Sequence, residues 1–208
     1  MMIVDSQVHI WGADTPERPW PRNRTVKAQR DVPLGKDELL REMDAAGVSR
    51  VVIVPPSWEG DRNDLALAAA QAHPERFAVM GRIDPVLPES RRKIAAWRQQ
   101  PGMLGLRFVF HRSPLLELLT EGKADWLWPE AEKHGVPVYM LVPHRHLHHV
   151  ERIAARHPGS RSMPTSPPAT SSWTRLPAMT FTSTRTCAIP KATGSSGISA
   201  CVAGRGAN

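Results

Sequence analysis

Five short apolar runs, each separated from the next by a helix-like stretch, constrain this chain most. They are Met2–His9, Arg50–Pro55, Phe77–Ile83, Met103–Phe110 and Val136–Val142. Each is rich in β-branched or large aliphatic residues and runs continuously instead of alternating, the pattern of strands buried on both faces. Between them, Lys36–Ala46 carries Leu39, Leu40 and Met43 at helical spacing and stops at Gly47. A second helix is expected from Asn63 or Asp64 through His73, ended by Pro74. A third is expected over Pro88–Gln100, with Ile94 and Trp97 on one face, and a fourth over Ala124–His134, stopped by Gly135. A fifth is expected over His146–His157, before Pro158 and Gly159.

Strand and helix alternate five times, which implies parallel pairing and an α/β fold. Two architectures accommodate the pattern. A (β/α)8 barrel needs about 250 residues, so a 208-residue chain with five units would be an incomplete TIM-type barrel. A doubly wound five-stranded sheet is the rival. No glycine-rich turn follows the first strand, so nucleotide binding has no support.

The pattern ends near residue 160. Residues 160–208 hold 17 Ser and Thr, five Pro and both cysteines, Cys187 and Cys201. Their only Leu, Ile or Val residues are Leu176, Ile189, Ile198 and Val202, and no periodicity links them. Such a segment lacks the apolar surface to offset its chain entropy. Two readings are open: a disordered low-complexity tail, or residues translated out of frame from a GC-rich gene. The expected division is thus a partial barrel over 1–159 and an aberrant or disordered tail over 160–208.

The same boundary explains the net charge of +7. The last acidic residue is Glu151, and residues 160–208 contain Arg161, Arg175, Arg185, Lys191 and Arg205. Removing those five from 27 basic residues leaves 22 against 20 acidic ones in 1–159, a net of +2. A nucleic-acid-binding domain would instead carry its basic face within the structured part, so no nucleic-acid partner is expected. No apolar run reaches the ~18 residues of a membrane span, and Met1–His9 lacks the layout of a secretory signal. Two cysteines make no disulfide scaffold. A cytoplasmic location, no membrane partner and a small-molecule substrate are expected.

In parallel α/β folds, chemistry collects where strands end. Asp5, Gln7 and His9 alternate along the first strand and should share one side of it. An imidazole at a strand end can bind a divalent metal or move a proton; Asp5, deepest, can orient its neighbours. Arg107 interrupts an apolar run on the fourth strand. A buried guanidinium needs a partner: either a substrate carboxylate or an internal acid such as Asp84 or Asp5. His144 follows the fifth strand and His111 the fourth, while His146, His148 and His149 open a helix, where solvated or capping roles compete with metal binding. Trp11 and Ser57, in the loops after the first two strands, are candidate pocket residues.

Asp5, Gln7, His9 and Trp11 at alternate positions resemble the opening motif of the amidohydrolase-related hydrolases. These are (β/α)8 barrels that include lactonases acting on 2-pyrone-4,6-dicarboxylate and on sugar lactones. The resemblance continues through Gly47–Val48, Pro56–Ser57, Asn63–Asp64, His73–Phe77, Asp84–Pro85, Gly105–Phe108 and His134–Val138, and covers roughly residues 3–159. It implies hydrolysis of a lactone or similar C–O or C–N bond by water attack on a carbonyl. His9, Gln7 and Asp5 would be catalytic, Arg107, Trp11, Ser57 and His144 would bind substrate, and His9 would be a ligand for a divalent metal such as Zn²⁺. The expected substrate is a carboxylated lactone, and a homo-oligomer is compatible with the pattern. Two departures matter. Gln7 stands where a first His is frequent, and an amide oxygen is a poor Zn²⁺ ligand beside imidazole. The pattern also implies a later His and a final Asp, yet no Asp follows Asp125 and no His follows His157. The alternative reading is therefore a non-catalytic remnant or an oligomeric binding module.

Overall fold

The structure is a computed structural model that describes residues 2–24 and 26–161. The expectations for the tail therefore lie outside the described residues, save for the last turn of backbone at Pro158–Arg161. Among the described residues there are five strands: β1 Val4–Val8, β2 Arg50–Ile53, β3 Phe77–Gly81, β4 Met103–Val109 and β5 Val138–Leu141. The helices are α1 Lys36–Ala46, α2 Asp64–Ala72, α3 Pro88–Ile94, α4 Leu115–Thr120, α5 Leu127–Lys133 and α6 Leu147–Arg156.

The strand order in the sheet is β1-β2-β3-β4-β5. A doubly wound sheet reverses direction at a switch point, and this order has no reversal. It is the sequential winding of a barrel, so the fold is an incomplete (β/α)8 type with five βα units. The described residues form two compact units, divided between Val79 and Met80.

In the first unit β1 pairs with β2 and β2 with β3, all parallel. Helix α1 buries Leu39 and Met43. It ends because Gly47 adopts φ 69°, a left-handed conformation that glycine takes without steric cost. There Gly47 N–H bonds Asp44 O and Val48 N–H reaches back to Met43 O at 2.8 Å, closing the helix end. Arg76 ties this end to the start of β3, donating to Ser49 O at 2.9 Å and to Asp44 Oδ1 at 2.6 Å.

In the second unit β4 and β5 pair parallel, Leu106 opposite Val138 through Val109 opposite Leu141. The expected continuous helix over Pro88–Gln100 is instead α3 followed by a separate 3-10 turn, Trp97–Gln99. The break lets the buried Trp97 indole N–H reach Gly105 O at 2.9 Å, and Arg98 reach Gly135 O at 3.0 Å. Helix α4 was not expected. It is short and buries only Leu118 and Leu119, which leaves little periodic signal. Helix α5 starts at Leu127, three residues later than expected, because Ala124 N–H closes a turn onto Leu118 O.

Candidate active site

Each unit carries polar side chains at its strand ends. In the first, the ladder between β1 and β2 runs Asp5 opposite Val51, then Val8 opposite Ile53. Three residues on β1 match two on β2, a bulge that re-aims side chains. The expected alternation of Asp5, Gln7 and His9 along one side is thereby broken. Asp5 is buried, with 2% exposure, whereas Gln7 is exposed. The bulge is closed locally: Gln7 N–H donates to Asp5 Oδ1 at 3.0 Å. Asp5 Oδ2 is buried without a hydrogen-bond partner.

His9 lies just beyond β1. Its Nδ1 sits 2.6 Å from Val54 O. A carbonyl cannot donate, so Nδ1 carries the proton and the lone pair resides on Nε2. The ring is walled by Trp58, edge-on at 5.5 Å between centroids, and Trp58 meets Trp11 edge-on at 5.4 Å. Both indoles are buried at 3% exposure, so Trp11 lines the surroundings of His9 through Trp58. Ser57 is exposed in the 3-10 turn Ser57–Glu59.

Burial pushes the Asp5 carboxyl above its ordinary value, against the pull of Gln7 N–H. A raised folded-state value means that the folded chain binds the proton more tightly than the unfolded chain. Stability from this group is therefore full at acid pH and falls as pH rises from the unfolded toward the folded value. Asp5→Asn keeps an acceptor for Gln7 N–H and removes the titration. It should be at least as stable as the wild type at pH 7, and the difference should vanish at acid pH. Urea unfolding of both proteins at pH 3 and pH 7 checks this; a less stable Asp5→Asn at pH 7 contradicts it.

In the second unit, Arg107 on β4 is 7% exposed. Its Nη1 donates to Phe108 O at 2.7 Å. Among the described residues it forms no ion pair, so the internal-acid partner is not found; Asp84 instead accepts from Val86 N–H at 2.9 Å. Burial, and secondarily the Arg82 charge, lower the Arg107 guanidinium to about 10, with Tyr139 acting in the opposite direction. Tyr139 stands opposite Arg107 in the β4–β5 register. Burial raises the Tyr139 hydroxyl, and Arg107 pulls it back. His111 receives Arg112 Nε–H on Nε2 at 2.7 Å. Burial, then the Arg112 and Arg107 charges, push its imidazole below the ordinary value.

His144 is exposed at the start of a 3-10 turn. His146, His148 and His149 do cluster, with ring centroids 4.1 to 6.3 Å apart. Arg145 and Arg152 donate to His146 Nε2 and contact His149 Nδ1. Among the described residues no three His, Cys, Asp or Glu side chains assemble to hold a metal. The expected metal therefore has no assembled set of ligands around His9 among these residues. Inspection of the sequence missed Glu59, Arg18, Arg82 and Tyr139. Arg82, inside the Phe77–Ile83 run, and Tyr139, the sole tyrosine, inside the Val136–Val142 run, could have been noticed there.

The amidohydrolase family model matches residues 4–163. The chain belongs to the amidohydrolase family. No curated protein matches it in sequence. Among solved structures, it resembles a probable 2-pyrone-4,6-dicarboxylic acid hydrolase from Acinetobacter baumannii with citric acid bound. The identity there is 17% and the TM-score 0.61, covering 76% of this chain and 55% of that one. An amidohydrolase from Burkholderia multivorans with bound zinc shows 19% identity and a TM-score of 0.56, covering 76% and 55%. A 2,6-dihydroxybenzoate decarboxylase from Rhizobium shows 18% identity and a TM-score of 0.52, covering 76% and 64%. At these identities the likeness concerns the fold, and this amidohydrolase chain spans little more than half the length of the first two. Among the described residues no helix is long and apolar enough to cross a membrane.

Proposed function

We propose that this amidohydrolase acts as a hydrolase on a carboxylated lactone or a closely similar carbonyl compound. The observation that carries this is Arg107: a buried guanidinium that donates to one backbone carbonyl, with a second cation, Arg82, acting on it. Such a group is poorly compensated, and a substrate carboxylate supplies both charge and fork geometry. Solved relatives described with citric acid and as a dicarboxylic acid hydrolase fit an acidic ligand.

His9 Nε2, its lone pair set by the Nδ1 bond to Val54 O, accepts a proton from water. The water oxygen bonds to the lactone carbonyl carbon, and the ring C–O bond breaks. The imidazolium returns the proton to the departing alkoxide, giving a hydroxy acid. A divalent metal, carried by the zinc-bound relative, would polarise the carbonyl. The described residues assemble no ligand set for it, so the steps assigned here belong to protein groups alone.

The test follows ring opening of 2-pyrone-4,6-dicarboxylate by absorbance, with the parent pyrone as control. Wild type should open the dicarboxylate faster than the parent ring. His9→Asn should slow it on the order of a hundredfold with little change in KM, the usual worth of a positioned general base. Equal rates for His9→Asn and wild type defeat the assignment.

A further inference from the structure

Glu59 is the most deeply buried acid in the first unit after Asp5, at 3% exposure. It follows Trp58 in a single 3-10 turn held by two backbone bonds, Glu59 N–H to Pro56 O and Gly60 N–H to Ser57 O. Its Oε1 accepts Gly12 N–H at 3.0 Å and Arg18 Nε–H at 2.9 Å. Arg18 then forks onto Asp64 in the first turn of α2, at 2.5 and 3.1 Å. The pair holds the Asp64 carboxyl down at about 2 and raises the Arg18 guanidinium.

This network grips one end of a long segment. Among the described residues from Gly12 to Gly35 there is no helix or strand beyond a Thr15–Arg18 bridge, and the segment is far longer than the usual connection of about 4–6 residues. Gly12 is packed so closely that a Cβ there would lie 2.8 Å from Arg18 Nε. Its carbonyl accepts the Trp20 indole N–H at 3.1 Å. Trp11 precedes it, and Trp58 precedes Glu59; these two indoles meet edge-on, and Trp58 meets His9. One carboxylate thus joins the backbone after His9 to the turn that carries the wall of His9.

We infer that Glu59 and Arg18 are positioning residues for His9: their ion pair clamps Gly12 to the Ser57–Glu59 turn and so fixes Trp58 against the imidazole. The inference rests on the proposed role of His9. A fixed wall leaves the ring one orientation, with Nδ1 on Val54 O. Releasing it gives the ring room to turn and exchange its two nitrogens.

The test uses the full chain labelled with ¹⁵N at histidine, with the His9 signals assigned by their loss in His9→Asn. Wild type should show one neutral His9 tautomer, protonated at Nδ1. Glu59→Leu and Arg18→Met should both shift the His9 ring signals toward a tautomer average. Both should speed hydrogen exchange at Gly12 N–H and the Trp20 indole by about tenfold or more, as local opening predicts. Glu59→Gln, which keeps an acceptor for Gly12 N–H, should restore most of the wild-type spectrum. If the Leu and Met variants melt earlier yet leave the His9 signals unmoved, Glu59 and Arg18 only stabilise the fold and the inference is overturned. Should Glu59→Leu fail to fold, Arg18→Met decides, since it removes only the guanidinium and keeps the Glu59 side chain. A wild-type His9 that already averages two tautomers overturns the proposed role of His9 itself, whereas one tautomer insensitive to the variants overturns only the clamp.

Discussion

Replacing Arg107 by Met is expected to stabilise the folded chain and to abolish its binding of acidic ligands. The guanidinium is lowered to about 10, well below its ordinary value, by burial and by Arg82. At pH 7 both states are charged, so the depression measures how much worse the charge fares in the folded chain. At about 1.4 kcal/mol per unit, that cost is on the order of 3 kcal/mol. Met fills much of the same volume without a charge, and such exchanges at buried ionic sites are often neutral or stabilising by about 1–4 kcal/mol. A gain of about 1 kcal/mol or more in urea unfolding is expected once lost packing is counted. Citrate should raise the melting temperature of the wild type, since a ligand at 100 times its Kd adds about 2.7 kcal/mol. It should not move the Met variant. A variant that is destabilised and still responds to citrate would mean that Arg107 is a structural cation and that the acidic-substrate proposal has the wrong residue.

The second large effect is expected at Gly105. A Cβ there would stand 2.2 Å from Pro137 O and 3.0 Å from Met80 Cε. Pro137 O also accepts Leu106 N–H at 2.9 Å, and Gly105 O accepts the Trp97 indole. Backbone cannot yield there as a flexible side chain would. Gly105→Ala must therefore push β5 from β4, losing ladder bonds from Leu106 to Val109 and the Trp97 contact. A loss of about 3 kcal/mol or more is expected, at the severe end for one methyl group. Gly35→Ala is the control, because nothing lies within 4 Å of its Cβ; it should stay within about 0.5 kcal/mol of wild type. Equal urea midpoints for the two variants would show that β4 and β5 are not so closely apposed.

Much of the fold was legible because it follows from local rules. The five apolar runs became five strands, each shortened at one or both ends, and α1 kept its expected bounds because Gly47 marks its end and Leu39 and Met43 its buried face. Helices α3 and α5 were misjudged where a tertiary hydrogen bond, from Trp97 or from Ala124, cut across the helical pattern. The site residues divided in the same way. His9 and Arg107 could be singled out as polar residues in apolar strands. The environment of each could not, because the bulge at Asp5–Val8 overrides alternation, and the missing counter-charge of Arg107 is a property of three-dimensional neighbours.

What the sequence alone determined is the α/β class, the five-unit rhythm, the break near residue 160 and the family resemblance, since periodicity and short motifs act over a few residues. The tertiary structure decided the rest. The sequential strand order separated barrel winding from a doubly wound sheet, because strand neighbours are set by long-range pairing. It also joined Gly12, Arg18, Glu59 and Asp64 across more than forty positions. No local pattern encodes that network: a carboxylate is worth burying only where folding delivers donors to it.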